Sequence, residues 1–177
     1  MEFEKIYIAA KKACESETKE AYAKLVGDLS KKGLTAATAE SCTGGLMGKL
    51  FTDVSGASAV FMGGMITYTN HIKINKLGVS AETIDQHTEV SFECAAEMAV
   101  RAREYFETDI GVSATGYAGP TGGTETDPVG TVYLGISSKA RTVVYRLSFD
   151  SCTRDQIRYG TAFAAVKTIV YEKKTYF

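Results

Sequence analysis

Apolar side chains recur at helical spacing in the first 33 residues. They fall on one face of a helix that would end at Gly33, after Lys31 and Lys32: Ala21, Tyr22, Leu25, Val26 and Leu29. Residues 3–14 are also helix-like, with a less regular apolar face. We therefore predict that residues 1–33 form a helical segment, as one long helix or as a first helix or docked tail before the second.

Helical patterns return later in the chain, at residues 45–54, 70–77, 80–86, 91–105 and 153–171. Ser91 is a good N-cap, because its hydroxyl can accept a hydrogen bond from an unpaired backbone N–H of the first turn. The inner face of the helix after Ser91 is predicted to consist of Cys94, Ala95, Met98, Ala102 and Tyr105.

Short β-branched and aromatic runs between these helices predict strands at residues 34–39, 59–69, 110–114, 131–136 and 142–149. The second strand contains Gly63 and Gly64, which indicates a bulge or a close backbone approach within a buried strand. The last two strands form an antiparallel hairpin. Because strands alternate with helices, we expect residues 1–177 to form a single domain, a three-layer α/β/α sandwich with a mixed, mostly parallel sheet.

Composition and charge narrow the class of protein. The chain has 177 residues, 45% hydrophobic and 23% charged, with a formal net charge of −1. A globular domain is favoured, and no basic surplus points to a nucleic-acid partner. No apolar run approaches the roughly 20 residues needed to cross a membrane. The four cysteines match no zinc pattern, which favours reduced thiols in the cytoplasm.

The first candidate loop covers residues 39–45, Ala-Glu-Ser-Cys-Thr-Gly-Gly, between a strand and a helix. Gly44 and Gly45 lack Cβ atoms, so their N–H groups could approach a phosphate or carboxylate at the helix N-terminus. Ser41 and Thr43 would add hydroxyls. The loop is not a standard P-loop, and a simple strand–helix turn with an N-cap remains the alternative.

A second glycine-rich loop follows the strand at residues 110–114 and extends to Pro128. So long a loop in a compact domain is usually functional or disordered, and prolines stiffen this one. We expect it to face the first loop across the sheet edge.

The segment between the loops carries Ser58, Tyr68 and Lys73. A serine nucleophile needs a base, and a lysine and a tyrosine can relay its proton if both are held close. Each residue also has an ordinary structural explanation, as a cap, a core ring or a solvated helix residue. His71 and His87 are the only histidines, so no metal site is expected.

Two arginines, Arg154 and Arg158, lie one turn apart near the start of the last predicted helix. Cations there oppose the helix dipole, so a bound anion would explain them better than helix stability. Ordinary surface charge is an equal alternative.

These segments together resemble the CinA C-terminal domain family, whose active members are nicotinamide mononucleotide deamidases. The resemblance follows family order from residue 39 to residue 133 and includes Arg154. Its motifs are residues 39–45, 52–58, 68–70 with Lys73, 77–79, 114–120 and 128–133.

The resemblance implies hydrolysis of the carboxamide of nicotinamide mononucleotide to nicotinic acid mononucleotide and ammonia, without a cofactor or metal. It implies Ser58 as the nucleophile, with Tyr68 and Lys73 as its proton partners. Ser41 is a further catalytic candidate, and Cys42 is a weaker thiol alternative. The implied substrate-binding residues are Thr43, Gly44, Gly45, Thr115, Gly116, Gly119 and Arg154.

The chain departs from the family pattern at two positions. Tyr117 replaces a small aliphatic residue, and Asp127 stands where the family often has lysine, so phosphate binding could be weaker. We expect the domain to act without the molybdopterin-binding-like domain that precedes it in longer members, and to form a homo-oligomer. A non-catalytic nucleotide-binding or regulatory domain is the alternative function.

Overall fold

A twisted sheet forms the middle layer of the computed structural model, which describes residues 2–176, with side chains up to residue 172. In this part of the chain the strands are β1 (Glu4–Ala9), β2 (Ala36–Glu40), β3 (Phe61–Ile66), β4 (Ile110–Gly116), β5 (Thr131–Ser137) and β6 (Thr142–Ser148). Their order is β1-β6-β5-β4-β2-β3. The β1–β6, β2–β3 and β2–β4 pairs are parallel, and β5 runs antiparallel to both β4 and β6.

Helices cover both faces of this sheet. They are α1 (Glu15–Lys32), α2 (Leu46–Thr52), α3 (Asn70–Ile72, continued by a π-helical turn at Lys73–Leu77), α4 (Ala81–His87), α5 (Phe92–Tyr105) and α6 (Arg154–Tyr176). The α1, α2 and α6 helices pack against one another over the largest hydrophobic cluster, while α5 packs across β2, β4, β5 and β6. The predicted three-layer sandwich with a mixed, mostly parallel sheet is confirmed.

The N-terminal segment differs from the prediction. Residues 3–14 do not form a helix, because Glu4–Ala9 is an edge strand that pairs in parallel with β6 from Glu4↔Val143 to Ala9↔Ser148. Strand formation depends on a partner far away in the sequence, which local periodicity does not reveal. The helix begins at Glu15 instead, and it ends as predicted at Gly33, which has the left-handed φ of 65°.

The strand predicted at residues 59–69 also differs in its surroundings. β3 is an edge strand, and its alternate residues, including Met62 and Ile66, are exposed rather than buried. The predicted bulge is present, since Ala36 pairs with Phe61 but Ala37 pairs with Gly63. A Cβ on Gly64 would overlap the Thr38 hydroxyl and lie 3.4 Å from the Thr38 carbonyl oxygen, so the neighbouring strand leaves no room for a side chain here.

Helix α5 begins as predicted, with Ser91 Oγ accepting from the Cys94 N–H at 3.1 Å. Four of its five predicted inner residues, Cys94, Ala95, Met98 and Ala102, are fully buried. Tyr105, the last residue of the helix, is 63% exposed and was wrongly predicted to be buried.

The sheet topology decides which segments meet. Because β2, β3 and β4 are parallel, their carboxyl ends at Glu40, Ile66 and Gly116 lie at the same end of the sheet. The segments that follow these strands are therefore neighbours, as expected for a ligand site in an open α/β sheet. Ser58 lies in the short 3₁₀ turn before β3, and therefore at the opposite end of the sheet, where β3 begins.

All four cysteines are free thiols, as expected, and Cys42 and Cys94 are buried. Among the described residues, no helix combines the length and the apolar character needed to cross a membrane.

The close packing of β4 on α5 can be tested at Gly111. A Cβ there would overlap the Ala99 carbonyl oxygen of α5 and lie 2.8 Å from the Arg103 backbone nitrogen. We expect Gly111→Ala to lower the free energy of unfolding by about 1–3 kcal/mol, measured by urea denaturation.

Gly27 is the matched control, since it lies within α1 and a Cβ added there would meet no atom within 4 Å. Gly27→Ala should raise the free energy of unfolding by about 0.5–1 kcal/mol, because alanine loses less backbone entropy in a helix. Equal stability of the two variants would contradict the packing described for β4.

Candidate active site

A cavity of about 320 Å³ opens at the carboxyl ends of β2 and β4. Its walls come from the two predicted glycine-rich loops, the segment after β3, the connection between α4 and α5, and the start of α6. The lining residues are Ser41, Cys42, Tyr68, Asn70, Lys73, Glu89, Val90, Thr115, Gly116, Tyr117, Ala118, Gly119, Thr121 and Arg154.

The Lys73 side chain lies at the base of this cavity and is only 1% exposed. Its Nζ donates to Ser41 Oγ at 3.1 Å and to the Thr67 carbonyl oxygen at 3.0 Å. It makes no ion pair with any carboxylate among the described residues. Burial therefore lowers the pKa of Lys73 from its ordinary value of 10.5, because desolvation disfavours the ammonium form.

Local structure holds Lys73 in this position. Thr67 N–H donates to the Glu40 carbonyl oxygen at 2.7 Å, which carries the β2–β3 pairing past the end of β3. Thr69 then caps α3 by accepting from the Ile72 N–H at 3.3 Å. Lys73 follows as the first residue of the π-helical turn and points back toward Ser41. A buried amine next to a serine hydroxyl is an arrangement that can activate a nucleophile.

Glu40, the residue before Ser41, explains the shape of the first loop. Its carboxylate is 1% exposed and accepts from the N–H groups of Gly45 (3.0 Å), Met47 (3.0 Å) and Gly48 (2.8 Å). The Thr38 hydroxyl adds a further hydrogen bond at 3.2 Å. The first turn of α2 is thus closed by the protein's own carboxylate.

The N–H groups of Gly44 and Gly45, which were predicted to bind substrate, are instead used within the protein. The Gly44 N–H donates to the Ser41 carbonyl oxygen at 3.1 Å, and the Gly45 N–H is bound to Glu40. Neither glycine lines the cavity. Their positive φ angles of 59° and 92° instead allow the tight turn that presents Ser41.

Thr43 has a structural place rather than a place in the cavity wall. Its side chain is fully buried, and its hydroxyl has no hydrogen-bond partner among the described residues. Its carbonyl oxygen accepts from Arg158 Nε at 3.2 Å and Nη2 at 2.7 Å. Arg158 therefore fixes the first loop and does not line the cavity, so the predicted anion site includes only Arg154.

The second loop lies where the sequence predicts, with Thr115, Gly116 and Gly119 in the cavity wall. The Thr115 hydroxyl donates to the Glu89 carbonyl oxygen at 2.7 Å. Arg154 donates through Nη1 to the Gly119 carbonyl oxygen at 2.6 Å and makes no ion pair with the described residues. Its other N–H groups are available to an anionic ligand.

Ser58 is not part of this arrangement, which corrects the expectation that it lies beside Tyr68 and Lys73. It is exposed at the opposite end of the sheet, in a separate depression with Thr52 and Phe61. The six residues of β3 separate it from the segment carrying Tyr68. The serine that Lys73 contacts is Ser41. Tyr68 lines the cavity, is 60% exposed and makes no hydrogen bond within the described residues.

The structure also bears on Cys42, Asp127 and Tyr117. Burial raises the pKa of the Cys42 thiol to about 12, which opposes a role for Cys42 as a thiolate nucleophile. Asp127 does not line the cavity, and its carboxylate pairs with Arg146 at 3.0 Å and accepts from the Tyr133 hydroxyl at 2.9 Å. Tyr117, the other departure, is half-buried in the cavity wall.

Glu89 and Thr121 are cavity residues that sequence reasoning missed. Glu89 lies between α4 and α5, where no strand ends and no motif marks a site. Thr121 lies in the second loop, whose glycine pattern predicted a wall without indicating which hydroxyls face the cavity.

The Glu40 hydrogen bonds predict the effect of an isosteric change. Glu40→Gln replaces one acceptor oxygen with an NH₂ group that would face backbone N–H donors. We expect the free energy of unfolding to fall by about 1–3 kcal/mol, measured by thermal and urea denaturation.

Asp53→Asn is the control, because Asp53 lies at the other end of α2, directly after it, and forms an exposed ion pair with Lys49. Its loss should change the free energy of unfolding by less than about 0.5 kcal/mol. A Glu40→Gln variant as stable as the Asp53→Asn variant would contradict the closing role of Glu40.

Comparison with known proteins places the chain in a family. The family model of the CinA C-terminal domain matches residues 18–172. A putative competence-damage inducible protein from Halothermothrix orenii is 53% identical over 138 residues, covering 77% of this chain and 33% of that protein. A CinA-like protein from Kosmotoga olearia is 47% identical over 142 residues, covering 80% of this chain and 34% of that protein. The chain thus spans about a third of the length of these curated relatives.

Solved structures agree with this placement. The competence/damage inducible protein CihA from Agrobacterium tumefaciens superposes with a TM-score of 0.87 at 32% identity, covering 92% of this chain and 99% of that chain. The competence damage-inducible protein A from Klebsiella pneumoniae gives a TM-score of 0.86 at 29% identity, covering 90% of this chain and 99% of that chain. The chain belongs to the CinA C-terminal domain family.

Proposed function

We propose that this chain is an amidohydrolase that converts nicotinamide mononucleotide to nicotinic acid mononucleotide and ammonia, with Ser41 as its nucleophile. The observation that carries the proposal is the 3.1 Å contact between Ser41 Oγ and a buried Lys73 that lacks a carboxylate partner among the described residues. The substrate comes from the family resemblance, whose active members have this activity.

The first step forms an acyl-enzyme. Neutral Lys73 accepts the Ser41 hydroxyl proton while Oγ attacks the carboxamide carbon, and the carbonyl oxygen becomes an oxyanion. Desolvation favours the neutral amine that this step requires, because it lowers the pKa of Lys73. The Thr67 carbonyl oxygen, 3.0 Å from Nζ, keeps the amine oriented toward the serine.

The oxyanion requires nearby donors. Cys42 follows the nucleophile directly and lines the cavity, and its N–H makes no hydrogen bond to a backbone carbonyl among the described residues. It is our candidate donor. When the tetrahedral intermediate collapses, Lys73 returns its proton to the nitrogen, ammonia leaves, and an ester links the pyridine carboxyl carbon to Ser41.

Water completes the cycle. Lys73 accepts a proton from a water molecule that attacks the ester carbon, and the proton then returns to Ser41 Oγ. The products are nicotinic acid mononucleotide and the original enzyme, so no cofactor is consumed. Tyr68 supplies a ring and a hydroxyl to the same cavity, and a proton-relay role for it remains part of the proposal.

The rest of the substrate would occupy the side of the cavity formed by the second loop. Arg154 has N–H groups available for a phosphate, and Thr115, Gly116 and Gly119 lie beside it in the wall. The cavity volume of about 320 Å³ is at the small end of the range of about 300–1,000 Å³ that is usual for small-molecule sites.

Two serine variants test the nucleophile. Ser41→Ala should lower kcat for ammonia release from nicotinamide mononucleotide by at least about 10³-fold, because no attacking oxygen remains. Ser58→Ala makes the same chemical change at the opposite end of the sheet and should leave kcat unchanged.

The reverse pattern would restore Ser58 as the nucleophile. If the wild-type protein binds the nucleotide in calorimetry but releases no ammonia, the non-catalytic binding domain is the correct function.

The pH dependence tests Lys73. Because the neutral amine is the active form, kcat/KM should rise with pH and level off below 10.5, the ordinary lysine value. Lys73→Arg should abolish the rise and nearly all activity, since a guanidinium does not deprotonate in this range.

Lys76→Arg is the matched control, because Lys76 lies in the same π-helical turn but is exposed. It should keep the wild-type profile. A Lys73→Arg variant with the wild-type pH profile would exclude Lys73 as the base.

A further inference from the structure

Glu89 places a carboxylate in the cavity wall without a partner among the described residues. The side chain makes no hydrogen bond or ion pair with any of them. Glu89 is partly exposed, and its charge acts on two other residues of the cavity, Lys73 and Tyr117. A positively charged ligand in this cavity would therefore meet a carboxylate that no described residue binds directly.

The backbone around Glu89 is firmly held, so this placement is built in. The Thr115 hydroxyl donates to the Glu89 carbonyl oxygen at 2.7 Å, which ties the segment to the end of β4. The Ser91 hydroxyl donates to the Thr88 carbonyl oxygen at 3.0 Å, and Val90 is buried.

Two aromatic rings line the same cavity, those of Tyr68 and Tyr117. The face of an aromatic ring attracts cations and stacks on planar rings. The negative charge of Glu89 also acts on Tyr117, whose pKa is raised first by burial and then by this carboxylate.

We propose that Glu89 is a specificity-determining residue that pairs with the positive charge of a pyridinium ring, held beside Tyr68 and Tyr117. This inference rests on the proposed function and deepens it, because the nicotinamide ring is cationic when its nitrogen carries a ribose and is neutral at pH 7 when the nitrogen carries no substituent. A neutral aromatic amide would leave the carboxylate unpaired. The cavity would thus select an N-substituted pyridine carboxamide over free nicotinamide.

Lys73 is the other positive group whose charge Glu89 influences, and this influence favours the ammonium form. If Glu89 served only Lys73, its removal would affect every ligand of the cavity alike. If it recognises the ring, its removal weakens cationic ligands and leaves neutral ones unchanged. The two roles therefore separate when ligands differ only in the charge of the ring.

Calorimetry on the full chain can make this separation without turnover, because Ser41→Ala prevents consumption of the ligand. The probes are nicotinamide mononucleotide and its 1,4-dihydro form, which keeps the carboxamide, ribose and phosphate but has a neutral ring. We expect E89Q, added to Ser41→Ala, to weaken binding of the cationic form by about tenfold and to leave the neutral form unchanged. Asp85→Asn, an exposed charge removal on α4, should change neither.

Each other outcome overturns the proposal. If E89Q weakens the binding of both probes equally, Glu89 acts through Lys73. If E89Q weakens the binding of neither probe, Glu89 does not recognise the ring. Failure of both probes to bind at millimolar concentration excludes the pyridinium ligand. Failure of the proposed hydrolysis would give a different result. The wild-type chain would then bind the cationic probe, with the same dependence on Glu89, but would release no ammonia.

Discussion

The carboxylate of Glu40 is the interaction on which the site depends. It lies at the end of β2, between β3 and β4, where a buried charge requires several donors. The first turn of α2 supplies them through three backbone N–H groups. One side chain therefore joins the sheet to the helix, and the direction of Ser41, between them, follows from it.

Lys73 presents the opposite solution to a buried ionisable group. Its Nζ meets only neutral oxygens, from Ser41 and Thr67, so the ammonium form is poorly stabilised. The fold thus places a satisfied carboxylate and an undercompensated amine on either side of the same serine. The first shapes the turn, and the second supplies basicity. The proposed chemistry needs both, because a well-placed hydroxyl without a base is a weak nucleophile.

Sequence reasoning located much of the fold and part of the site. Glycine and serine positions were informative where the cause is local, as at Gly33 and Ser91, which end α1 and begin α5. Lys73 was predicted as a proton partner of a serine, and Arg154 as a cation that the dipole of its helix does not explain. Thr115 followed from the family resemblance. β1 was missed, since its pairing with β6 connects residues more than a hundred positions apart.

The errors within the site also have physical causes. Ser58 and Ser41 both lie next to glycine turns, and only the direction of the adjacent strand shows that one precedes β3 while the other follows β2. Gly44 and Gly45 looked available to a ligand because the pattern does not show that the neighbouring Glu40 binds the first turn of α2. Glu89 lies between two helices, where only the assembled tertiary structure brings it to the cavity.

The start of α6 has a consequence for the two loops. Arg154 holds the Gly119 carbonyl oxygen of one loop, and Arg158 holds the Thr43 carbonyl oxygen of the other. Four residues of helix rise by about 6 Å, a length that hardly varies. Both loops are thus tied to the same rigid helix, so we expect them to move together rather than independently. A ligand that contacts both loops would then require less ordering of the protein than if each loop moved by itself.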